Sequence, residues 1–400
     1  MKILTFSLSF ALVSSMYATT LSEIKNSTLQ NNQTLKIYNS KIDISKQNEL
    51  LSLKWSNIIL GIGANDILIN DISARDKEAM QTQFITLSQV IPTASKKQHQ
   101  QKIQHTQTTI YKLLQDDKKS NIYSKIMQNL NDYILISKKI KLLKKIKLNI
   151  KDIRILQNQR FKTTSIAQID IVKSNTKYLN VILQIQQLQS LQKLIKIDLQ
   201  NISYKSINNI EYTLPIYKLD IIKIQKTLIN NNMYKALKLK TLKYEQNIKL
   251  QEAKKTADIK LNVGYYQREA FDDYVAFSIN YPLSIYGSEN IKINKAKQEV
   301  IQSKVLLNEF KNEFTTKILN LQQNQNIAYT NYGFIKEQII PNKEYILNIL
   351  VSNSSQNQIN TLKQLKLKNE ILKDELRALN ELQKFYKTKA KLAYYKGQTL

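Results

Sequence analysis

Apolar and polar residues alternate over two short runs between Asp258 and Pro282. In the first, Ile259, Leu261, Val263 and Tyr265 fall on one face of an extended chain, and Lys260, Asn262, Gly264 and Tyr266 on the other. In the second, Val275, Phe277, Ile279 and Tyr281 lie opposite Ala276, Ser278 and Asn280. A charged tip separates the runs, so the pattern predicts a β-hairpin at about 258–281. A second hairpin is predicted at about 57–91. Its strands are IILGIGA (58–64) and QFITLSQVI (83–91), with the polar stretch Asn65–Lys77 between them. Other long segments carry the helical period. Leu143, Ile146, Ile150 and Ile153 step by three and four, as do Leu362, Leu365, Asn369, Leu372, Leu376 and Leu379. That spacing predicts coiled-coil seams, in which one Asn fixes register.

The hairpins belong to a duplication. Pro92 and Pro282, which close them, stand 190 residues apart. TTSIAQIDIVK (163–173) matches NSSQNQINTLK (353–363) at the same offset, pairing Gln168 with Gln358, Ile169 with Ile359 and Lys173 with Lys363. The predicted units are 19–210 and 211–400, each running helix, hairpin, Pro, long helix, turn, helix. Between Pro92 and Ser165 there is neither Pro nor Gly. As a helix that segment would extend on the order of 100 Å. The matching segment of the second unit contains Gly287, Gly333 and Pro341. Residues 201–223, with Pro215, interrupt the helical pattern and are expected to lie with the tail, 388–400, near the middle of the helices.

Composition narrows the function classes. With 6 Gly and 4 Pro in 400 residues, the chain suits long helices. It has no Cys, which excludes disulfides, thiolate metal sites and a lipidated Cys. Its two His, His99 and His105, are poorly spaced to share a helix face, so no metal or cofactor is expected. The first residues, MKILTFSLSFALVSSMYATT, read as a signal peptide over 1–18: a Lys, a short apolar stretch, then small residues ending at Ala18. No later apolar run reaches the roughly 18 residues of a membrane helix. The formal charge of +29 is spread along the whole chain, and an exported protein meets little nucleic acid, so no nucleic-acid partner is expected.

For an exported chain with four two-faced strands and no other β-rich segment to bury them, a membrane is the natural environment. Lipid demands that every backbone polar group be paired, so strands cross it only in a closed barrel. Four strands are too few to close one, and the fold therefore calls for several copies. Ile259, Leu261, Val263, Val275, Phe277 and Ile279 would face lipid. Tyr265, Tyr266, Tyr274 and Tyr281 would sit at headgroup level, and Trp55 either there or packed at a helix end.

These residues resemble the TolC-type outer-membrane efflux proteins over nearly the whole chain after the signal. The resemblance rests on the duplicated hairpins and on the strand-to-helix passages LSQVIPTASKKQ (87–98) and INYPLSIYGSENIKINKAKQEV (279–300). It rests also on the two turn motifs near Thr163 and Asn353. It implies a mainly α fold with β: a homotrimer whose twelve-stranded transmembrane barrel continues as a periplasmic coiled-coil tunnel. The partners implied are a periplasmic adaptor, an inner-membrane pump and outer-membrane lipid. Pro92, Pro282 and Gly287 mark the strand-to-helix passages. The periplasmic tip would be narrowed by residues just after the helix turns, here Asp170, Lys173, Asn360 and Lys363. Asn360 and Lys363 stand where the family often carries acids, so three Lys363 ammonium groups would repel cations. No paired carboxylates, phosphate loop or activated nucleophile suggests an enzyme. A periplasmic adaptor or coiled-coil protein without a barrel is the alternative, disfavoured by the low Gly content and the repeated helical pair.

Overall fold

The computed structural model describes residues 18–160, 166–219, 221–352 and 358–400. Residues 1–17, where a signal peptide is expected, and most of both expected helix turns, 161–165 and 353–357, lie outside the described residues. The order of elements is β1 (Thr19–Thr20), α1 (Leu21–Asn31), α2 (Gln33–Leu53), β2 (Ile59–Asn65), β3 (Thr82–Ile91), α3 (Lys96–Arg160) and α4 (Ile166–Ser203). It continues with β4 (Ile210–Glu211), α5 (Ile224–Asn230), α6 (Asn232–Ala253), β5 (Ile259–Gln267), β6 (Tyr274–Asn280) and α7 (Ser288–Phe334). A π-helical turn (Ile335–Ile339), α8 (Ile340–Ser352) and α9 (Gln358–Tyr395) complete it. The chain divides into two compact units, and each draws on both halves of the duplication.

The first unit, Ile37–Asp116 with Ile229–Glu313, contains both hairpins. They join into one antiparallel sheet of order β2-β3-β5-β6. The central pairing, β3 with β5, runs from Gln83 opposite Gln267 to Ile91 opposite Ile259, so the sheet is continuous across the repeat. Its helices meet through polar contacts. Ser45 and Thr108 share a hydrogen bond of 2.9 Å, Thr106 Oγ1 donates to Gln246 Oε1 at 2.9 Å, and Lys243 Nζ donates to Gln107 Oε1 at 2.9 Å. Burial lowers the Lys243 ammonium below the ordinary lysine range.

The second unit takes in 117–228, 314–400 and the described part of 1–36. Its core is aliphatic. Ile126, Leu130, Leu143, Ile146, Ile150, Ile185 and Leu199 are buried in one cluster, so the seam spacing in α3 marks true core positions. In α9, Leu372, Leu376 and Leu379 pack on that cluster, and Asn369 is buried as the seam pattern requires. A second cluster centres on Phe385, Tyr386 and Leu135. Between them Gln383 links Lys139 to Asp132, accepting from the ammonium and donating to the carboxylate. Burial raises the Asp132 carboxyl and lowers the Lys139 ammonium.

Three details go beyond the sequence pattern. The first is the helix at Pro341, which continues through a π turn instead of ending. Pro lacks the N–H for the i→i−4 bond, and its ring crowds the carbonyl four residues back. The π turn at Ile335–Ile339 widens the helix just before it. The second is the small parallel bridge of β1 with β4, Thr19 opposite Ile210, which pins the start of the described chain. The third is the tail, which stays helical to Tyr395. It does meet the interrupted segment: Lys389 Nζ donates to the Ile216 carbonyl at 2.9 Å and to that of Lys218 at 3.2 Å, and just before the tail Tyr386 Oη donates to the Pro215 carbonyl at 2.7 Å.

Candidate functional site

The sheet has two chemically distinct faces. Its register aligns Leu60, Leu87, Val263 and Phe277 in one row across all four strands, and Ile62, Ile85, Tyr265 and Val275 in the next. These side chains are exposed, Ile62 to 74% and Val275 to 69%. Patches of that extent and apolarity are seldom left to water. Of the residues expected to face lipid, Val263, Val275, Phe277 and Ile279 are exposed on this face, while Ile259 and Leu261 are half-buried. Among the described residues no helix is long and apolar enough to cross a membrane.

The other face is small, polar and bonded across strands. One row runs Gly61, Thr86, Gly264 and Ala276. In another, Ser88 donates to Asn262, whose Nδ2 donates to Ser278 Oγ at 3.1 Å. At the tip end Tyr266 stacks on Tyr274 with ring centroids 4.9 Å apart, and Phe84 lies tilted against Tyr266 at 5.6 Å. The pleat separates Tyr266 and Tyr274 from Tyr265, because residues one apart point to opposite faces. A Cβ on Gly63 would come within 2.6 Å of the Phe84 ring, so that position has to remain bare for the aromatic row to form.

The strand-to-helix passages differ. After Pro92, Ala94 and Ser95 adopt left-handed backbone, φ 53° and 55°. The turn is fastened to the residue before β5. Thr93 N donates to Asp258 Oδ1 at 2.9 Å, Thr93 Oγ1 to the Ala257 carbonyl at 2.8 Å, and Lys96 Nζ to Asp258 Oδ1 at 2.6 Å. Burial pulls the Asp258 carboxyl upward. The hydrogen bonds from Lys96 and Thr93 outweigh it and hold the group below the ordinary carboxylate range. After Pro282 there is no such clasp among the described residues, and Leu283, Ile285 and Tyr286 project outward, Tyr286 to 91%. Gly287, at φ 67°, turns the chain into α7.

The residues expected at the tip occupy matching places near the N-termini of two helices. Asp170 and Lys173 lie on α4, and Asn360 and Lys363 on α9. Asp170, Lys173 and Lys363 are exposed and Asn360 is half-buried. Among the described residues no hydrogen bond or ion pair joins the α4 residues to the α9 residues. Nearby, Lys343 on α8 bridges Asp374 at 2.8 Å and Glu370 at 3.3 Å on α9. Sequence reasoning missed this link, and it missed the Lys96–Asp258 pair. The partners are distant in sequence and carry no motif.

No family model and no curated protein matches the sequence. Solved structures match the fold. The Campylobacter jejuni CmeC outer membrane channel aligns over 94% of this chain and 86% of its own, with a TM-score of 0.72 and 11% identity. The Neisseria gonorrhoeae MtrE outer membrane channel, in its open state, aligns over 94% and 89%, with a TM-score of 0.65 and 12% identity. The outer membrane protein VceC of Vibrio cholerae aligns over 94% and 95%, with a TM-score of 0.66 and 12% identity. Over 94% of its length the chain has the fold of these outer-membrane proteins.

Proposed function

We propose that this chain is one protomer of a homotrimeric channel-tunnel of the outer membrane, the passive exit duct of an export system. The observation that carries the proposal is the four-stranded sheet with a bare apolar face and two open edges. A single copy leaves that face in water and its edge N–H and C=O groups unpaired, and lipid tolerates such strands only in a closed barrel. Three copies supply twelve strands, the bare face meets hydrocarbon, and the Ser88–Asn262–Ser278 face lines an aqueous lumen. The likeness in fold to outer-membrane channels supports the same reading, as does a leader suited to export.

The partners of the duct are an inner-membrane pump and a periplasmic adaptor, and the chain performs no chemistry of its own. Asp170, Lys173, Asn360 and Lys363 form the constriction at the periplasmic end. Purified protein in planar bilayers gives discrete conductance steps; trimers that never conduct end the proposal. Lys363→Asp replaces three positive charges with three negative ones and shifts selectivity toward cations, by several-fold in the permeability ratio. Unchanged reversal potentials would remove Lys363 from the constriction. An adaptor without a barrel would dissolve when cells are broken without detergent, whereas the channel stays with outer membranes.

A further inference from the structure

The sheet ends on β2 at one side and β6 at the other, and no strand among the described residues covers either edge. Resting on the channel reading above, we infer the register in which β6 of one copy joins β2 of the next. Ile279 lies opposite Ile62 of the next copy, with Phe277 opposite its Ala64 and Tyr281 opposite its Leu60.

Three constraints lead there. The first is facing. Phe277 and Ile279 share the apolar face with Leu60 and Ile62, and a slip of one residue would turn one strand inside out. Only pairings that set odd-numbered residues of β6 against even-numbered residues of β2 keep the band continuous.

The second is closure. Strands in a barrel tilt by about 35–45°, and that tilt demands a net stagger. Four strand spacings of about 4.8 Å then require about 13–19 Å of stagger per copy, or about 4–6 residues at roughly 3.3 Å each. Within the chain the row Leu60, Leu87, Val263, Phe277 runs straight across. A flush joint, Phe277 beside Leu60 of the next copy, would therefore close the ring with no stagger at all. The joint must be displaced by about four or six residues from flush.

The third is strand length. Displacement by four toward the C-terminal end of β2 sets Ala276–Asn280 against Gly61–Asn65, five of the seven residues of each strand. Displacement by six leaves Ser278–Asn280 against Gly63–Asn65. Displacement by four the other way leaves Tyr274 alone opposite Ile59. Edge groups facing lipid must be paired, so the arrangement that pairs the most of them is selected. It also brings Leu283 opposite Ile58 of the next copy, and both are exposed in the single chain.

The absence of native Cys makes the test direct. Ile279→Cys with Ile62→Cys is treated with a short bifunctional thiol reagent in detergent-solubilised trimers, beside the flush pair Ile279→Cys with Ile58→Cys and each single variant. The expected result is that most of the chain runs as covalent dimer and trimer for the first pair, and that the flush pair stays at the background of the single variants. Cross-linking of the flush pair, or of neither pair in protein that light scattering shows to be trimeric, overturns the register and leaves the channel standing. Protein that remains monomeric removes the channel and the register together.

Discussion

The two strand-to-helix passages occupy matching places in the duplication and are held in opposite ways. The first turns through left-handed backbone at Ala94 and Ser95 and is clasped by Asp258, which takes hydrogen bonds from Thr93 and Lys96. The second turns on Gly287 and presents Leu283, Ile285 and Tyr286 to solvent. The partner of the first passage is the start of β5 in the same chain, whereas the counterpart position beside β6 is empty in a single copy. The two similar hairpins thus carry different joints: a polar, self-contained one at the intrachain seam and an apolar one at the sheet edge. In the trimer proposed above, that edge is the seam between copies.

Removing the clasp should have the largest effect. Asp258→Ala leaves the Lys96 ammonium, only 11% exposed in its side chain, without its carboxylate and the Thr93 N–H without its acceptor. Stranding a largely buried charge costs about 3–5 kcal/mol when burial is complete, and about 2–3 kcal/mol is expected here because Asp258 is partly open to water. The melting temperature of the purified protein should fall by several degrees. Lys96→Met in the Asp258→Ala background should restore part of the loss by removing the stranded charge. Acid should reproduce the single variant. The folded Asp258 carboxyl titrates below its unfolded value of about 3.9, so its contribution is fully present above that pH and is lost as the pH falls through the lower, folded value. Melting curves taken from pH 7 down to pH 5 should therefore show no loss from this group.

The second passage should respond only in the assembled protein. Leu283→Ser removes an exposed side chain from the single copy, where about ±0.5 kcal/mol is the norm for surface changes. If the side chain is buried at the seam between copies, the same change costs about 1–2 kcal/mol per copy. Trimer dissociation in detergent, followed against protein concentration, should shift to higher concentration in Leu283→Ser and remain unchanged in the exposed helix variant Lys304→Ser. A dissociation curve unmoved by Leu283→Ser would place that side chain outside the seam.

Much of this comparison was legible in the residues, and what was not has a physical reason. The strands, the two faces, α3 and the seam residues Leu143, Ile146, Ile150 and Ile153 follow from periods of two and of three to four, which are local properties. The hairpin ends moved by about one residue, within ordinary fraying. Three features could not be read locally. The clasp joins residues more than 160 positions apart, and Asp258 looks like any charge before a strand. The π turn answers a Pro in the last quarter of the helical run Ser288–Ser352, and Pro341 alone does not say whether the helix ends, kinks or widens. The β1–β4 bridge is two residues long, too short for any period. The tip candidates Asp170, Lys173, Asn360 and Lys363 came from the resemblance; the first, second and fourth are exposed, and among the described residues no hydrogen bond or ion pair joins those on α4 to those on α9.

The smallest effects should also carry opposite signs at the two passages. Ala94 holds φ 53°, where its Cβ crowds the following carbonyl at a cost of about 1–2 kcal/mol. Gly accepts that backbone freely but loses more chain entropy on folding, about 0.5–1 kcal/mol relative to Ala. Ala94→Gly should therefore stabilise the protein by about 0.5–1 kcal/mol. Gly287 holds φ 67° with open space where a Cβ would stand, so steric contact with neighbours is not at issue there. Gly287→Ala pays the left-handed penalty, regains the entropy, and should destabilise by a similar amount. Denaturant melts with unchanged slopes and midpoints displaced in opposite directions would confirm that each turn carries the left-handed strain assigned to it. A loss of stability in both variants would mean that the Ala94 methyl is itself packed within the first passage.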